Sequence, residues 1–388
     1  MSWASSLALR FDTVKGTNTG EGKTADVKTR LYHRKHTGAL MVQRAFYPEP
    51  TGQQGTCHIL MLYPPAGIAG GDTLTINLYL ESRSHAFVTT PGAGKWYGKN
   101  SVRQRSKALS HQSDAPLHLH YNANIHANIE VDTSVENNAP ENKAPENKAP
   151  VNNSSDRLSV TQNEMAEYAS QHLQATLKPD ARLEWLPQES IIYNEANMHA
   201  VSRFDLAESS SLLTWEINVF GREAYDEQFL QGHYHTGLNI YREGQVIVSE
   251  RVAQSAQSRW FTSNLGLAGQ HVYGSFWAVP SLSDVHDNRM LSASQTTQST
   301  QTTQSTETAH ATTKQALTRY LDNTVVVLRQ IIAQARLPVY CTHNFQAVNI
   351  RYVGSDVRGC FEAFYQLREV LREHWWQLAP CRPRIWDT

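Results

Sequence analysis

Apolar and polar residues alternate along several segments of this chain, and this period of two constrains its fold more than any other feature. In Thr73–Leu80 every second residue is aliphatic, which predicts a strand with one face in a core. Residues 57–63 are largely apolar and are followed by two prolines, a pattern typical of a strand buried on both faces. Residues 212–220 predict another strand, and residues 238–249 predict a hairpin that turns at Glu243-Gly244.

The hydrophobic period changes towards the C-terminus. Residues 314–335 and 357–378 carry apolar side chains at helical spacing, and Pro338 follows the first of these segments. Many strands followed by two amphipathic helices indicate an all-β or an α+β protein.

Composition argues against several functional classes. A formal net charge of -1 and a pI near 7.0 do not fit a protein whose main role is nucleic-acid binding. The chain contains no run of ~18 apolar residues for a membrane span, and its first residues lack the pattern of a secretory signal. The cysteines are scattered without paired spacing, as reduced thiols in the cytosol are. We therefore expect a cytoplasmic protein with neither a membrane nor a nucleic-acid partner.

Two segments resemble a phosphate-binding loop, but each lacks a required part. Gly94-Lys95 is followed by Trp96 instead of a magnesium-binding hydroxyl, and Thr89 stands where the first glycine belongs. Before Gly22-Lys23-Thr24, the first glycine position holds Thr17. Nucleophile-elbow, zinc-protease and paired-cysteine motifs do not occur either. The sequence thus predicts a protein that is not an enzyme, and in particular not a nucleotide hydrolase.

Histidines raise the question of metal binding. Several lie close together on predicted strands, where two imidazoles at i and i+2 point to the same face and could share an ion. A solvent-facing polar row explains the same spacing and is favoured, because ligands of other types are not found nearby. The histidines concerned are His118, His120 and His126, with the pairs His33/His36 and His233/His235 equally ambiguous.

Two loops hold acidic residues with more than one interpretation. Residues 64–72 contain two prolines and three glycines before Asp72, which either presents a hard oxygen ligand or caps a turn. Glu189 follows a Pro-Gln break and is either a transient ligand or a solvated residue. Carboxylates with a few histidines suit weak, passing contact with a divalent ion better than tight storage.

A series of short motifs spans the chain from about residue 5 to the C-terminus. It consists of residues 38–49, Cys57-His58, Tyr63-Pro64-Pro65, Gly67, Gly70-Gly71-Asp72, residues 89–97, residues 183–189, Gly221-Arg222, Glu250-Arg251 and residues 382–386. In this order the motifs resemble the UreD family of urease accessory proteins, called UreH in some species.

The resemblance implies a single domain over residues 1–388. Its fold would be mainly β, with layered, partly β-helical sheets and two C-terminal α-helices. The implied function is that of a urease maturation chaperone or scaffold, which assembles with UreF-like and UreG-like partners on apo-urease and assists GTP-dependent nickel insertion. In such a complex the UreG-like protein is the GTPase. The alternative is a stand-alone nickel-binding carrier.

The resemblance also implies a nickel passage inside the protein, with nickel in transit and no tightly bound cofactor. The residues that match the motifs and would lie along or behind this passage are Asp72, Gly70, Gly71, Glu184, Glu189 and His58, of which Asp72 and Glu189 would contact the metal transiently. Contact with the UreF-like partner is expected at the second helix and the tail, through Phe361, Phe364, Leu371, Trp375 and Trp386. Core packing is the competing account of these side chains.

Two segments depart from the family pattern. Residues from about 99 to 168 interrupt the motif series and include a stretch that is poor in large apolar side chains, and residues 292–313 are rich in Gln, Thr and Ser. Both are predicted to be flexible insertions. His118, His120 and His126 lie in the first insertion, so the resemblance assigns them no role.

Overall fold

A computed structural model describes residues 2–15, 27–49, 54–65, 67–98, 168–283, 285 and 306–387. More of the described residues lie in strands than in helices, and two long helices follow near the C-terminus. In chain order the strands are β1 (Ala4–Lys15), β2 (Val27–Thr37), β3 (Met41–Val42), β4 (Gln54–Gly55), β5 (Cys57–Leu62), β6 (Ile68–Ala69), β7 (Thr73–Leu80), β8 (His85–Thr89), β9 (Gly94–Tyr97), β10 (Ala169–Leu177), β11 (Arg182–Trp185), β12 (Ser190–Ile192), β13 (Asn197–Leu206), β14 (Ser211–Phe220), β15 (His233–Arg242), β16 (Gln245–Ser255), β17 (Val272–Val279), β18 (Tyr340–His343) and β19 (Val348–Gly354).

Two sheets organise these strands. The first has the order β16-β15-β13-β10-β7-β1-β2-β4, and the second has the order β18-β19-β17-β14-β11-β8-β5-β3. In the middle of each sheet the strands are parallel, as in β7-β10-β13-β15 and β5-β8-β11-β14. Antiparallel strands flank both parallel blocks.

The parallel strands arise because the chain coils. Each coil places one strand in the second sheet, one in the short parallel row β6-β9-β12, and one in the first sheet, as β8, β9 and β10 do. Because parallel neighbours need such a crossover, the coil builds both sheets together. The expectation of layered, partly β-helical sheets is confirmed.

The helices form a third layer. Helices α2 (Thr306–Ala335) and α3 (Val357–Trp376) pack on the second sheet, whereas α1 (Arg259–Thr262) is a single turn. The Asp356 side chain caps α3 by accepting from the Gly359 amide, and Gln377 ends it with a positive φ of 53°. Apolar side chains between the two sheets form one core, and those between the second sheet and the helices form another.

The strands lie at the predicted places, and β7 spans the predicted residues from end to end, whereas β15 and β16 extend beyond the predicted residues 238–249. The predicted hairpin is β15–β16, and its turn at Glu243 and Gly244 has φ values of 46° and 76°, as a two-residue hairpin loop requires. Helix α2 starts at Thr306, inside the segment predicted as the second insertion. Residues 99–167 and 286–305 lie outside the described residues.

Candidate functional site

A network of buried charges lies between the second sheet and α3, with Glu184 at its centre. The neighbours of Glu184 on β11, Leu183 and Trp185, point into the core between the sheets. Strand alternation therefore turns the carboxylate towards the helical layer. There it is fully buried and accepts from Arg368 (Nε to Oε2, 2.6 Å) and from Nη1 of Arg372.

Glu49 and His58 extend this network. Arg372 also donates from Nη2 to Oε2 of Glu49 at 2.5 Å, and Nε2 of His58 lies 2.7 Å from the other Glu49 oxygen. Since an ionised carboxylate only accepts hydrogen bonds, His58 donates from Nε2. Of the residues assigned to the passage by the motifs, Glu184 and His58 are thus linked through Glu49 and Arg372.

His85 is the remaining buried polar partner of Glu184. Its Nε2 is 2.9 Å from Oε1 of Glu184, and its Nδ1 is 3.2 Å from the Thr56 hydroxyl. The carboxylate requires a proton on Nε2, so Nδ1 accepts from Thr56. Complete burial lowers the pKa of His85 despite its acidic neighbour, and the ring is neutral near pH 7.

Basic neighbours determine the charge state of Glu184 and Glu49. Burial by itself would raise the pKa of Glu184, but Arg368 and Arg372 outweigh it and hold that pKa well below the usual value. For Glu49, burial opposes ionisation in the same way, and the hydrogen bond from His58 with the charge of Arg372 lowers the pKa to about 2. Glu49 and Glu184 are therefore ionised opposite the two guanidiniums, and Glu369 adds a third carboxylate through its ion pair with Arg368.

Aromatic rings and the C-terminal tail enclose Arg368. Its guanidinium lies 5.1 Å from the centre of the Phe87 ring and 5.6 Å from that of Trp386. It donates to the Cys381 carbonyl at 3.1 Å, and Glu369 accepts from the Cys381 amide at 2.7 Å. The tail is thereby fastened over the charged network.

A group of potential metal ligands lies at one edge of the network. Among the described residues, Glu49, His58 and Cys381 offer ligand atoms that all lie within 4.8 Å of one another. Burial raises the pKa of the Cys381 thiol to about 11, so it is protonated at neutral pH, and Glu49 is already paired. An ion here would have to displace a proton and compete with Arg372.

Asp72 does not belong to the network around Glu184, and its side chain instead stabilises the turn before β7. Its carboxylate accepts from the backbone amides of Trp3 at 2.9 Å and Ala69 at 3.0 Å, and the side chain is buried. Gly71 precedes it with a φ of 87°, which a residue with a Cβ atom adopts only at a cost. With Gly70, these residues tie the start of β1 to the loop before β7.

Glu189 lies beside a cavity between the two sheets without lining it. Its neighbours Gln188 and Ser190 line the cavity together with Gln171 and Asn218. The Glu189 charge instead contributes to raising the pKa of Cys360 on α3, a thiol whose pKa is raised chiefly by burial. Asp72 and Glu189 thus occupy places separate from the network of Glu184 and His58.

The cavity contains a carboxylate that sequence reasoning missed. Glu216 on β14 faces it and also lines a smaller cavity beside Glu250 and Tyr273. Burial, and then the negative charge of Glu250, raises the pKa of Glu216 to about 7. The signal in the sequence was a single acidic residue inside the apolar run of β14, at a position where the pleat points between the sheets.

The residues predicted to contact a partner pack inside the chain. Phe364, Leu371, Trp375 and Trp386 are buried in the core between the second sheet and the helices, and Phe361 packs against that core. The ring of Trp386 contacts Phe87, Trp215 and Phe361, and its Nε1 donates to the Thr89 hydroxyl at 3.0 Å. In the isolated chain the competing account, core packing, describes these side chains, and contact with a partner remains a prediction.

The histidines of uncertain role have different settings. His33 and His36 are exposed on β2, while His233 and His235 lie on the outer face of the first sheet. His118, His120 and His126 lie outside the described residues. In the part of the chain that is described, no helix is both long enough and apolar enough to cross a membrane.

Comparison with known proteins gives consistent matches. The sequence model of a family described as UreD urease accessory protein matches residues 18–387. Urease accessory protein UreD 2 of Psychrobacter cryohalolentis is 46% identical over 392 aligned residues, covering 100% of both chains. Urease accessory protein UreD of Acinetobacter baumannii (strain ACICU) is 29% identical over 361 residues, covering 93% of this chain and 90% of that protein. The protein of the same name from Ralstonia nicotianae is 31% identical over 278 residues, covering 72% and 68%.

Proposed function

This chain belongs to the UreD family of urease accessory proteins, and from that premise we propose that it is a non-catalytic scaffold for nickel insertion into urease. The observation that carries the proposal is the family match over residues 18–387, which includes every element of the fold from β2 to α3. The matched relatives are named as urease accessory proteins, which supports a role in urease maturation.

In the complex we propose, the chain joins UreF-like and UreG-like proteins on apo-urease. The GTPase step belongs to the UreG-like partner, in line with the two defective phosphate-loop motifs of this chain. The scaffold provides a rigid layered body, and its C-terminal helical layer is the proposed docking side for the UreF-like protein.

Nickel, as the cargo of the complex, would pass through the cavity between the two sheets. The polar side chains along its wall support this route, because a weakly held divalent ion moves along oxygen ligands more readily than along a cluster of imidazoles. They belong to Gln171, Gln188, Ser190, Glu216 and Asn218.

The residues that the motifs assigned to the passage would then have different roles. Glu189 would act beside the cavity, on the side that faces α3, and Asp72 would fix the loop that carries Gly70 and Gly71. Glu184 and His58 would hold the wall in place from the helical side. The carboxylates of Glu49 and Glu184 are paired with Arg368 and Arg372, and these two guanidiniums oppose the binding of a cation in the network.

The test is co-expression of the tagged full-length chain with the UreF-like and UreG-like proteins and the urease subunits. Mass spectrometry of the purified material, with and without GTP and nickel, identifies the components. Recovery of the UreF-like protein, with the UreG-like protein joining it, is the expected result. A monodisperse chain that recovers neither protein would refute the scaffold proposal.

A second function has one specific observation in its favour. The proximity of Glu49, His58 and Cys381 would suit a stand-alone nickel carrier. In that case the purified chain binds Ni²⁺ stoichiometrically, and Cys381→Ser weakens that binding in isothermal titration. A scaffold with nickel only in transit shows no such dependence on Cys381.

A further inference from the structure

Four histidines from three adjacent strands meet on the outer face of the first sheet. His172 is on β10, His199 on β13, and His233 and His235 on β15. His199 and His235 are direct partners in the parallel register of β13 and β15. Their side chains point away from the core, because the alternate residues Leu173, Met198 and Tyr234 are buried within it.

The rings lie near one another but are not yet arranged around an ion, since in the described part of the chain the three ligand atoms within 4.8 Å of one another are those of Glu49, His58 and Cys381. The centre of the His199 ring is 5.6 Å from that of His172 and 6.4 Å from that of His235. With metal–nitrogen distances near 2.0–2.1 Å, two imidazoles that share an ion have ring centres about 5–6 Å apart. The pair His172 and His199 has this spacing, and rotation of the His235 side chain towards His199 would bring a third nitrogen onto the same ion.

His199 has a nitrogen that lacks a partner. Its Nδ1 is buried from solvent and forms no hydrogen bond among the described residues. A buried polar atom without a partner costs free energy, and a metal ion in the space between the rings would supply one. His233 is committed differently, since its Nδ1 lies 3.0 Å from the side-chain oxygen of Asn197.

The ring of Tyr168 packs beside this cluster. Its centre lies 5.4 Å from that of His235, on which it stacks, and 6.4 Å from that of His199.

We infer that His172, His199 and His235 form a binding site for a divalent transition-metal ion on the outer face of the first sheet. An all-imidazole site takes Ni²⁺, Zn²⁺ or Cu²⁺ in preference to Mg²⁺ or Ca²⁺. The site is separated from Glu49, His58 and Cys381 by both sheets. It does not depend on the proposed function, because a chain that failed to recruit partners would still present these three rings.

The experiment is isothermal titration of the full-length chain with Ni²⁺ alone and with Zn²⁺ alone. The double variant His199→Ala/His235→Ala removes two ligands, and His33→Ala/His36→Ala on the exposed strand β2 is the matched control. We expect one binding event to weaken by more than about 100-fold in the first variant, since loss of a single outer-shell partner already costs about 10–100-fold. The control and Cys381→Ser retain that event.

Two results would overturn the inference: a wild-type chain that binds neither ion, or a double variant that binds with unchanged affinity and stoichiometry. If the double variant does not fold, as judged by circular dichroism, His172→Gln replaces it and must weaken the same event. Electron paramagnetic resonance with Cu²⁺ gives a second readout, in which the nitrogen couplings of the wild type decrease in the variant. Partner recruitment by the double variant, measured separately, is expected to be unchanged.

Discussion

Glu184 and Arg368 lie 184 positions apart in the chain, and their side chains form an ion pair with no exposure to solvent, 2.6 Å between Oε2 and Nε. The pair connects the parallel strand β11 to helix α3, and Arg372 adds a second contact one helical turn later. Removal of one partner from such a set leaves an uncompensated buried charge. The stability of the layered fold thus depends on charges that lie in its interior.

The first prediction concerns Glu184 itself. Glu184→Ala should lower the free energy of unfolding by about 3–5 kcal/mol, because it leaves two buried guanidiniums without their shared acceptor. Urea denaturation monitored by circular dichroism measures this. Asp205→Asn is the control, since it disrupts an ion pair with Arg203 at the surface, where little change is expected. Equal effects of the two variants would contradict the prediction.

Glu49 should make stability dependent on pH in the acidic range. Its folded-state pKa of about 2 lies below its ordinary value of 4.5, so the unfolded chain binds more protons between these values. The resulting stabilisation, up to about 3 kcal/mol, is complete above pH 4.5 and is lost as the pH falls towards 2. Denaturation of Glu49→Gln between pH 6 and pH 3 should therefore show a shallower decline than the wild type.

Glu216 should act in the opposite direction. Its pKa is raised to about 7, so its contribution to stability is present below pH 4.5 and is lost as the pH rises through 7. Glu216→Gln should therefore raise the free energy of unfolding by up to about 3 kcal/mol at pH 8 and by less at pH 5. Thermal denaturation at the two pH values measures this as a larger rise in melting temperature at pH 8. The exposed Glu373 provides the control variant, Glu373→Gln. Identical gains at both pH values would contradict the prediction.

Substitutions of Asp72 distinguish a fastening role from a role along the nickel route. Asp72→Ala loses two backbone hydrogen bonds and should cost about 1–3 kcal/mol, whereas Asp72→Asn keeps one side-chain acceptor and should cost less. If Asp72 only holds the loop through these hydrogen bonds, urease activation in cells should decline in proportion to the loss of stability. An Asp72→Asn chain that is fully stable yet inactive would instead place the carboxylate on the route.

Trp386 tests whether the tail is part of the core. Trp386→Ala should destabilise the chain by about 3–5 kcal/mol, because it leaves a cavity among Phe87, Trp215 and Phe361. Arg384→Ala, at an exposed position in the same turn, is the control and should leave thermal denaturation nearly unchanged. If Trp386→Ala is as stable as the wild type but no longer recruits the UreF-like protein, the contact prediction for this residue is favoured.

The sequence by itself determined the local elements. Alternation in Thr73–Leu80 specifies a strand because the side-chain period is a property of the backbone, and the apolar spacing in residues 357–378 specifies α3 for the same reason. Some bounds are close, as where Gln377 ends α3, whereas the hairpin predicted over residues 238–249 extends from His233 to Ser255 and the helix predicted from residue 314 begins at Thr306. The order of the short motifs was enough to recognise the family, because motifs and their order can be read from the sequence without knowing which residues are in contact.

Only the tertiary structure decided which polar residues meet. The spacing of Glu49, Glu184 and Arg372 in the sequence does not predict the hydrogen bonds that join them. Likewise, His172, His199 and His235 come together through the register of parallel strands that are separated by crossovers. Periodicity reports the face to which a side chain points, but the partner across that face is set by packing between distant segments. For the same reason Asp72 could be read as ligand or turn cap, and its hydrogen bonds to Trp3 and Ala69 became visible only once the loop was placed against β1.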